Sequence, residues 1–232
     1  SIEKKSLKFS ESALLYMIIG TVVGARLGHI LFYENITEYI LNPINIIKTW
    51  EGGLASHGGI IAIILASILF VRKEKSISFL TFTDLATIPT MFVCAWIRIG
   101  NFINQEILGD VTTKPWGIIF KSPVDGGAIL PRHPMQLYEF LLYLSVSALL
   151  FMLWYKKTYS KKTGLYIGIA LTISFFVRFF LEFLKVPQSI YDANSFLQVG
   201  QLLSLPMIIL GLVFVIFSRK EKVDLDKKLS EF

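Results

Sequence analysis

Six continuous apolar stretches, at residues 12–33, 53–71, 79–103, 136–155, 164–184 and 197–218, take up more than half of this chain. Each is near or above the roughly 20 residues a helix needs to cross the hydrocarbon of a bilayer. The stretches are unbroken rather than alternating, which favours helices over a barrel. In lipid the backbone must satisfy its own polar groups, so the menu of folds is short. The expected fold is all-α: a polytopic membrane protein with six transmembrane helices in a single integral-membrane domain over 1–232. Composition agrees, with 17% charged residues and a mean hydropathy of +0.59, where soluble domains carry about 25% charge.

The net charge of +6 does not gather into a basic face. This argues against a nucleic-acid partner and for a topology signal. Clusters at 4–8, 72–75, 156–162 and 219–228 hold fifteen of the 23 Lys and Arg residues. These alternate segments are expected on the cytoplasmic side. The loops 34–52, 104–135 and 185–196 then face outward. The longest, 104–135, is interrupted by Pro115, Pro123, Pro131, Pro134 and several glycines. It is expected to be an irregular extracytoplasmic insertion of the kind that often lines a site. One cysteine, Cys94, excludes an internal disulfide and a thiolate metal site. It reads as a small buried hydrophobe. There is no internal repeat of the sort many transporters show.

Polar residues then stand out against this background. Arg26, His57, Arg98, Arg178 and Glu182 all lie within apolar stretches, and His133, Gln136, Tyr138 and Glu139 flank the fourth. Because span direction alternates, all map to the outer half of the bilayer. Ionisable groups at such depth are costly unless paired or hydrated. Arg98, Asn101, Asn104 and Glu106 crowd the end of the third span and read as the wall of a polar cavity. Arginine stays charged and offers a planar fork that suits phosphate. Arg178 and Glu182, at i and i+4, either pair structurally or serve the site together. His57, in Ser56-His57-Gly58-Gly59, is either structural or a general base. Asp84 reads as topological or structural. Gly20, Gly24 and Gly28 recur every four residues and suit close helix packing. No Asp-rich, Cys/His or Gly-rich phosphate motif appears, so neither metal nor organic cofactor is expected.

The run Arg98–Gly109 resembles the signature Gly-Arg-x-Gly-Asn-Phe-x-Asn-x-Glu-x-x-Gly of the bacterial prolipoprotein diacylglyceryl transferases, with Ile97 replacing the leading Gly. The resemblance extends over nearly the whole chain. It takes in Gly24-Ala25-Arg26-Leu27-Gly28, Trp50-Glu51-Gly52-Gly53, His57-Gly58-Gly59, Arg132-His133-Pro134, Gln136-Leu137-Tyr138-Glu139, the Arg178/Glu182 helix, and Gly200-Gln201 with Ser204 and Pro206. It implies a seven-helix family fold, and so a chain that here lacks a further N-terminal helix carrying a functional Tyr. At Ser174 some members have a Tyr instead.

The resemblance also implies an enzyme of the bacterial cytoplasmic (inner) membrane with its site toward the extracytoplasmic leaflet. Its partners would be phosphatidylglycerol, other membrane lipids and the lipobox signal peptides of prolipoproteins. The diacylglyceryl group would pass from phosphatidylglycerol to the lipobox cysteine, with glycerol phosphate released. On this reading His57 is the base, Arg98 and Arg178 hold the phosphate, and Glu182 orients Arg178. Asn101, Asn104, Glu106, Gly109, Gly58 and Gly59 line the substrate, and Arg26 is a further phosphate ligand. Two rivals remain: an anionic-lipid binding or transport protein, and a lipid phosphotransferase attacking phosphorus.

Overall fold

The structure, a computed structural model, describes residues 2–74, 77–156, 162–186 and 197–220. Parts of the basic clusters, namely Lys75, 157–161 and 222–228, and most of the outer loop 185–196 lie outside the described residues. The described residues form two compact units, one running to Phe82 and one from Thr83 onward.

The first unit is an antiparallel pair of helices, α1 (Ile2–Tyr33) and a later helix over Ser56–Glu74. Between them come α2 (Ile36–Leu41), α3 (Ile44–Ile47) and a 3-10 turn at Thr49–Glu51, so the Ser56–Glu74 helix is α4. The Asn35 side chain starts α2 by accepting the Thr37 N–H at 3.1 Å. The α1–α4 seam is made by the glycine stripe. A Cβ on Gly20 would lie 2.7 Å from Ala66 Cβ, and one on Gly28 would lie 2.8 Å from Gly58 Cα. Only small residues allow two backbones so close. The close-packing role expected of Gly20, Gly24 and Gly28 is therefore seen directly. Toward the other end Phe70 is fully buried, with the rings of Phe9, Tyr16 and Phe82 around it at 5.1–5.6 Å.

The second unit holds most of α5 (Phe79–Ile103), then α6 (Met135–Tyr155), α7 (Leu165–Leu181) with a 3-10 turn at Glu182–Leu184, and α8 (Val199–Phe217). Helices α7 and α8 run antiparallel, with Gly168 against Val215 and Gly211 against Thr172. Val146, Leu150, Tyr166 and Ala170 form the α6–α7 core. Asp84 of α5 accepts the backbone N–H groups of Gly164 at 2.7 Å and Ile167 at 3.0 Å. It therefore caps the start of α7 and satisfies donors that the helix cannot, a structural role. A short antiparallel ladder joins Lys162–Thr163 to Arg219–Lys220. The 104–135 insertion is irregular, but Ile118–Ile119 pairs with Pro131–Arg132.

Five of the expected spans coincide with helices long and apolar enough to cross a membrane: Leu7–Tyr33, Phe79–Ile103, Met135–Tyr155, Leu165–Leu184 and Val199–Phe217. The remaining stretch, 53–71, forms the 19-residue α4, which carries Arg72 and Lys73 in its last turn and stands outside that set. Large apolar side chains point outward along these helices, among them Leu14, Ile18, Phe92, Val93, Leu203 and Ile209. Apolar surface on this scale suits acyl chains rather than water.

Candidate active site

Arg98 stands near the C-terminal end of α5. Its Nε lies 2.8 Å from Glu139 Oε2, its Nη1 donates to Asn101 Oδ1 at 3.1 Å, and its guanidinium sits 5.9 Å from the Tyr143 ring centroid. Asn101 extends the chain by donating to Glu106 Oε1 at 2.8 Å, and Asn104 donates to the same oxygen at 3.2 Å. These amides, Asn101 first and Asn104 second, hold the Glu106 carboxyl below the usual carboxylate range. The four residues singled out at the end of the third span thus form one connected network. Glu106 is placed by unusual backbone, because Gln105 (φ 55°) and Ile107 (φ 58°) on either side are left-handed. For a β-branched residue such as Ile107 this is a true outlier. The turn is fixed from outside: Gln136 donates to the Glu106 carbonyl at 2.7 Å, and the Gln105 side chain accepts the Ser122 N–H at 2.7 Å.

Behind Arg98 lies a buried charge cluster. Glu139, on the first turns of α6, is fully buried. Its second oxygen is 2.8 Å from Lys185 Nζ, which in turn lies 3.1 Å from Glu182 Oε2. Lys185 is itself only 3% exposed. At Arg98 Nε, both Glu139 oxygens and Glu182 Oε2, these contacts are too oblique to count as hydrogen bonds, so charge holds the cluster more than aligned donors do. Arg178 of α7 faces Tyr143, Glu139 and Glu182. Together with Cys94, Tyr143 and Ser174 it lines a cavity of about 170 Å³ between α5, α6 and α7. The Glu182 carboxylate also rests directly on Gly200 at the start of α8, where a side chain would overlap it.

Glu182 was expected to serve Arg178, its i−4 neighbour. It does face that guanidinium, but its ion pair is with Lys185 at i+3. The 3-10 turn that begins at Glu182 eclipses i and i+3 and so brings the ammonium over. Gly109 is a backbone crossing point. It bridges to Lys185, its N–H reaches the His133 carbonyl at 3.2 Å, and a Cβ there would lie 2.7 Å from His133 Cβ. Its need for glycine comes from packing against His133 and Met135. Glu139 and Lys185 were the residues missed. In sequence Lys185 is one charge at the start of the 185–196 loop, and Glu139 one of several polar residues flanking the fourth span, with nothing to say that the two meet.

The first unit holds Arg26, His57, Gly58 and Gly59. Arg26 is 7% exposed, and four contacts take up its guanidinium: Nε to the Ile46 carbonyl at 3.0 Å, Nη1 to Gly52 and Gly53 at 2.8 and 3.2 Å, and Nη2 to Asn45 at 2.6 Å. Instead of the phosphate ligand expected, Arg26 is a clamp on the 36–53 connection. Gly58 faces Gly24 and Gly28 across the seam, and Gly59 meets Thr21 and Ala25 at ordinary contact distance. Gly58 is therefore required by helix packing, whereas the space beside Gly59 would admit a methyl group. His57 is half-buried, with Phe32 and Tyr33 rings at 5.4 and 5.6 Å. His29 pairs with Glu34 at 3.0 Å and stacks on Tyr33.

Near the mouth of the 104–135 insertion, Trp116 Nε1 donates to the Tyr138 hydroxyl at 2.8 Å. Indole only donates, so the Tyr138 oxygen accepts there, and the same hydroxyl is hydrogen-bonded to His133 Nδ1 at 3.1 Å. Among the described residues no three His, Cys, Asp or Glu side chains converge as a metal site would require.

A helical membrane protein with half-buried arginines, a buried lysine and two buried carboxylates at the ends of its helices is the class that fold and site define. The chain belongs to the prolipoprotein diacylglyceryl transferase family, whose model matches residues 1–217. It is 47% identical to the phosphatidylglycerol–prolipoprotein diacylglyceryl transferase of Tolumonas auensis, over 91% of this chain and 80% of that protein. Proteins of the same name from Porphyromonas gingivalis and Chloroherpeton thalassium are each 42% identical. They match over 98% and 97% of this chain, and over 83% and 82% of their own lengths.

Proposed function

We propose that this chain transfers the diacylglyceryl group of phosphatidylglycerol to the lipobox cysteine of a prolipoprotein, the first step of bacterial lipoprotein maturation. Family membership and the relatives' names support the reaction. The observation that carries the site assignment is the cluster of half-buried Arg98 and Arg178 around buried Lys185, Glu139 and Glu182. The two arginines are the cluster's half-buried members, and a lipid phosphodiester at headgroup depth is the anion their planar forks suit.

In this reaction the cysteine sulfur attacks the glyceryl carbon that bears the phosphate. A C–S bond forms, the C–O bond to phosphate breaks, and its electron pair leaves with glycerol phosphate. A free thiol has a pKa of about 8.5, so a base assists. His57 takes that proton in our reading. Arg98 and Arg178 meet the charge that grows on the departing oxygen, and Asn101, Asn104 and Glu106 hold the glycerol hydroxyls by hydrogen bonds. The leaving group is competent once its charge is met, so no metal or organic cofactor is needed. The domain is a single membrane-embedded unit in the inner membrane. Helix α4 is a sixth span, and the charge-rich ends 4–8, 72–75, 156–162 and 219–228 lie in the cytoplasm. The site faces the extracytoplasmic leaflet.

The test is to incubate purified protein with phosphatidylglycerol and a cysteine-containing lipobox peptide and to read the peptide's mass. A gain of one diacylglyceryl group is expected. Lipid binding with no mass gain would favour an anion-binding protein, and phosphorylation would favour attack at phosphorus. His57→Gln should lose most turnover while keeping lipid affinity. Wild-type turnover in that variant removes His57 as the base.

A further inference from the structure

Helix α7 takes its cap from another helix. The residue before it is Gly164, left-handed at φ 83° and without a side chain to offer. A serine, threonine or aspartate at that place ordinarily caps a helix from within its own chain segment. Here Asp84 of α5, 6% exposed, accepts the Gly164 N–H with Oδ2 at 2.7 Å and the Ile167 N–H with Oδ1 at 3.0 Å. Both carboxylate oxygens are engaged, so one side chain of α5 fixes the height at which α7 begins. Helix α6 has a separate tie to α5, from the Ser147 hydroxyl to the Ile88 carbonyl at 3.0 Å.

The starts of α5 and α7 meet at Asp84, and their far ends meet around Glu139 and Tyr143, so the two helices run in the same direction. Arg98 stands 14 residues beyond Asp84, and Arg178 stands 14 residues beyond Gly164. At about 1.5 Å of rise per residue, each arginine lies roughly 21 Å from the cap. Equal spacing on parallel helices puts the two guanidiniums on one level. Between cap and arginines lies the cavity of about 170 Å³, lined by Met91 and Cys94 of α5 and by Ala170, Leu171 and Ser174 of α7. The contact across it, from the Ser174 hydroxyl to Met91 Sδ at 3.8 Å, is weak. The cavity leaves α7 room to slide along α5, and the cap opposes that slide.

We infer that Asp84 is a positioning residue for the transfer reaction: by capping α7 from α5 it sets the register of the two helices, and so holds Arg178 level with Arg98. The consequence for turnover rests on the proposed function, and the register does not. A slip of one residue would carry Arg178 about 1.5 Å along the axis, and a misplacement of about 1 Å can cost on the order of a hundredfold in rate.

The native Cys94 serves as a ruler. It stands 10 residues beyond Asp84, and Ser174 stands 10 beyond Gly164. Ser174→Cys therefore puts a second thiol level with it, and Leu171→Cys puts one nearly a turn closer to the cap. In membranes treated with a short thiol-to-thiol cross-linker and read by peptide mass, Ser174→Cys should couple to Cys94 several-fold faster than Leu171→Cys. Adding Asp84→Ala should bring the two rates together. Asp84→Asn keeps one carbonyl acceptor, should fall between, and decides the matter if Asp84→Ala does not fold. Thioether formation by folded Asp84→Ala should drop by about tenfold or more, and Arg178→Lys in that background should then cost little further. Distant sites that act independently multiply their losses, so a merely structural Asp84 would leave the Arg178→Lys loss at full size. That result, or an unchanged cross-linking preference in the folded Asp84 variants, overturns the proposal. A wild-type protein that makes no thioether defeats the functional reading instead, and the cross-links still decide the register.

Discussion

Replacing Gly200 with alanine sets two effects of opposite sign against each other. Gly200 is in the first turn of α8, and alanine is ordinarily better in a helix by about 1 kcal/mol. Here, however, the added methyl would overlap the Glu182 carboxylate, with Oε2 still only 2.9 Å away. The carboxylate must turn away from α8 to make room, and that disturbs its pair with Lys185, now at 3.1 Å. Leaving a buried charge wholly uncompensated costs about 3–5 kcal/mol; Lys185 keeps Glu139, so the loss is a part of that, still enough to outweigh the helix gain by roughly 1–2 kcal/mol. Thermal unfolding in detergent should show Gly200→Ala well below wild type, and thioether formation should fall with it. Gly59→Ala is the control. The nearest atoms to a Cβ there are Thr21 Cγ2 at 3.5 Å and Ala25 Cβ at 3.6 Å, so it should keep or raise Tm. A Gly200→Ala protein that matches the Gly59→Ala protein in both Tm and turnover would show that the start of α8 does not hold Glu182 in place.

Three further outcomes follow from the geometry. Arg98→Lys keeps the charge but loses the fork that reaches Glu139 and Asn101 together, so turnover in the lipobox-peptide assay should fall by about a hundredfold or more; near-normal turnover would mean that a point charge suffices. Arg26→Ala removes four bonds to loop carbonyls and should cost roughly 2–4 kcal/mol, seen as faster proteolysis within 36–53, while affinity for phosphatidylglycerol stays as in wild type. Glu106 is held below its ordinary value of 4.5 by Asn101 and Asn104. Its ordering of the 104–109 turn is therefore complete above that pH and lost as pH falls through the lower folded value, and protection of that turn from hydrogen exchange should show this acid limb and lose it in Glu106→Gln.

The spans were legible because a bilayer leaves a chain few choices. The expected ranges 79–103 and 136–155 fall within a residue of α5 and α6. The glycine stripe was legible for a similar reason, since a four-residue repeat marks one helix face. The network from Arg98 to Glu106 could be read because all its members lie within one helical end and its turn. Other assignments were not readable, because they depend on which groups meet across the fold. Arg26 looked like Arg98 in sequence, but the 36–53 connection folds back to present its carbonyls. Gly58 looked like a ligand cradle, and the opposing glycines of α1 make it a packing contact. For Arg178 and Glu182, helix periodicity put both on one face, and Glu182 does face Arg178. A tightened last turn brought Lys185 to Glu182 as well.

Ile107 is a branched side chain held where glycine would rest easily, at a cost of order 1–3 kcal/mol. The strain aims the neighbouring carboxylate, so the turn exchanges durability for placement. Selection for heat resistance alone would be expected to put glycine or asparagine there and gain melting temperature, and to yield a sturdier molecule that handles its lipid less well.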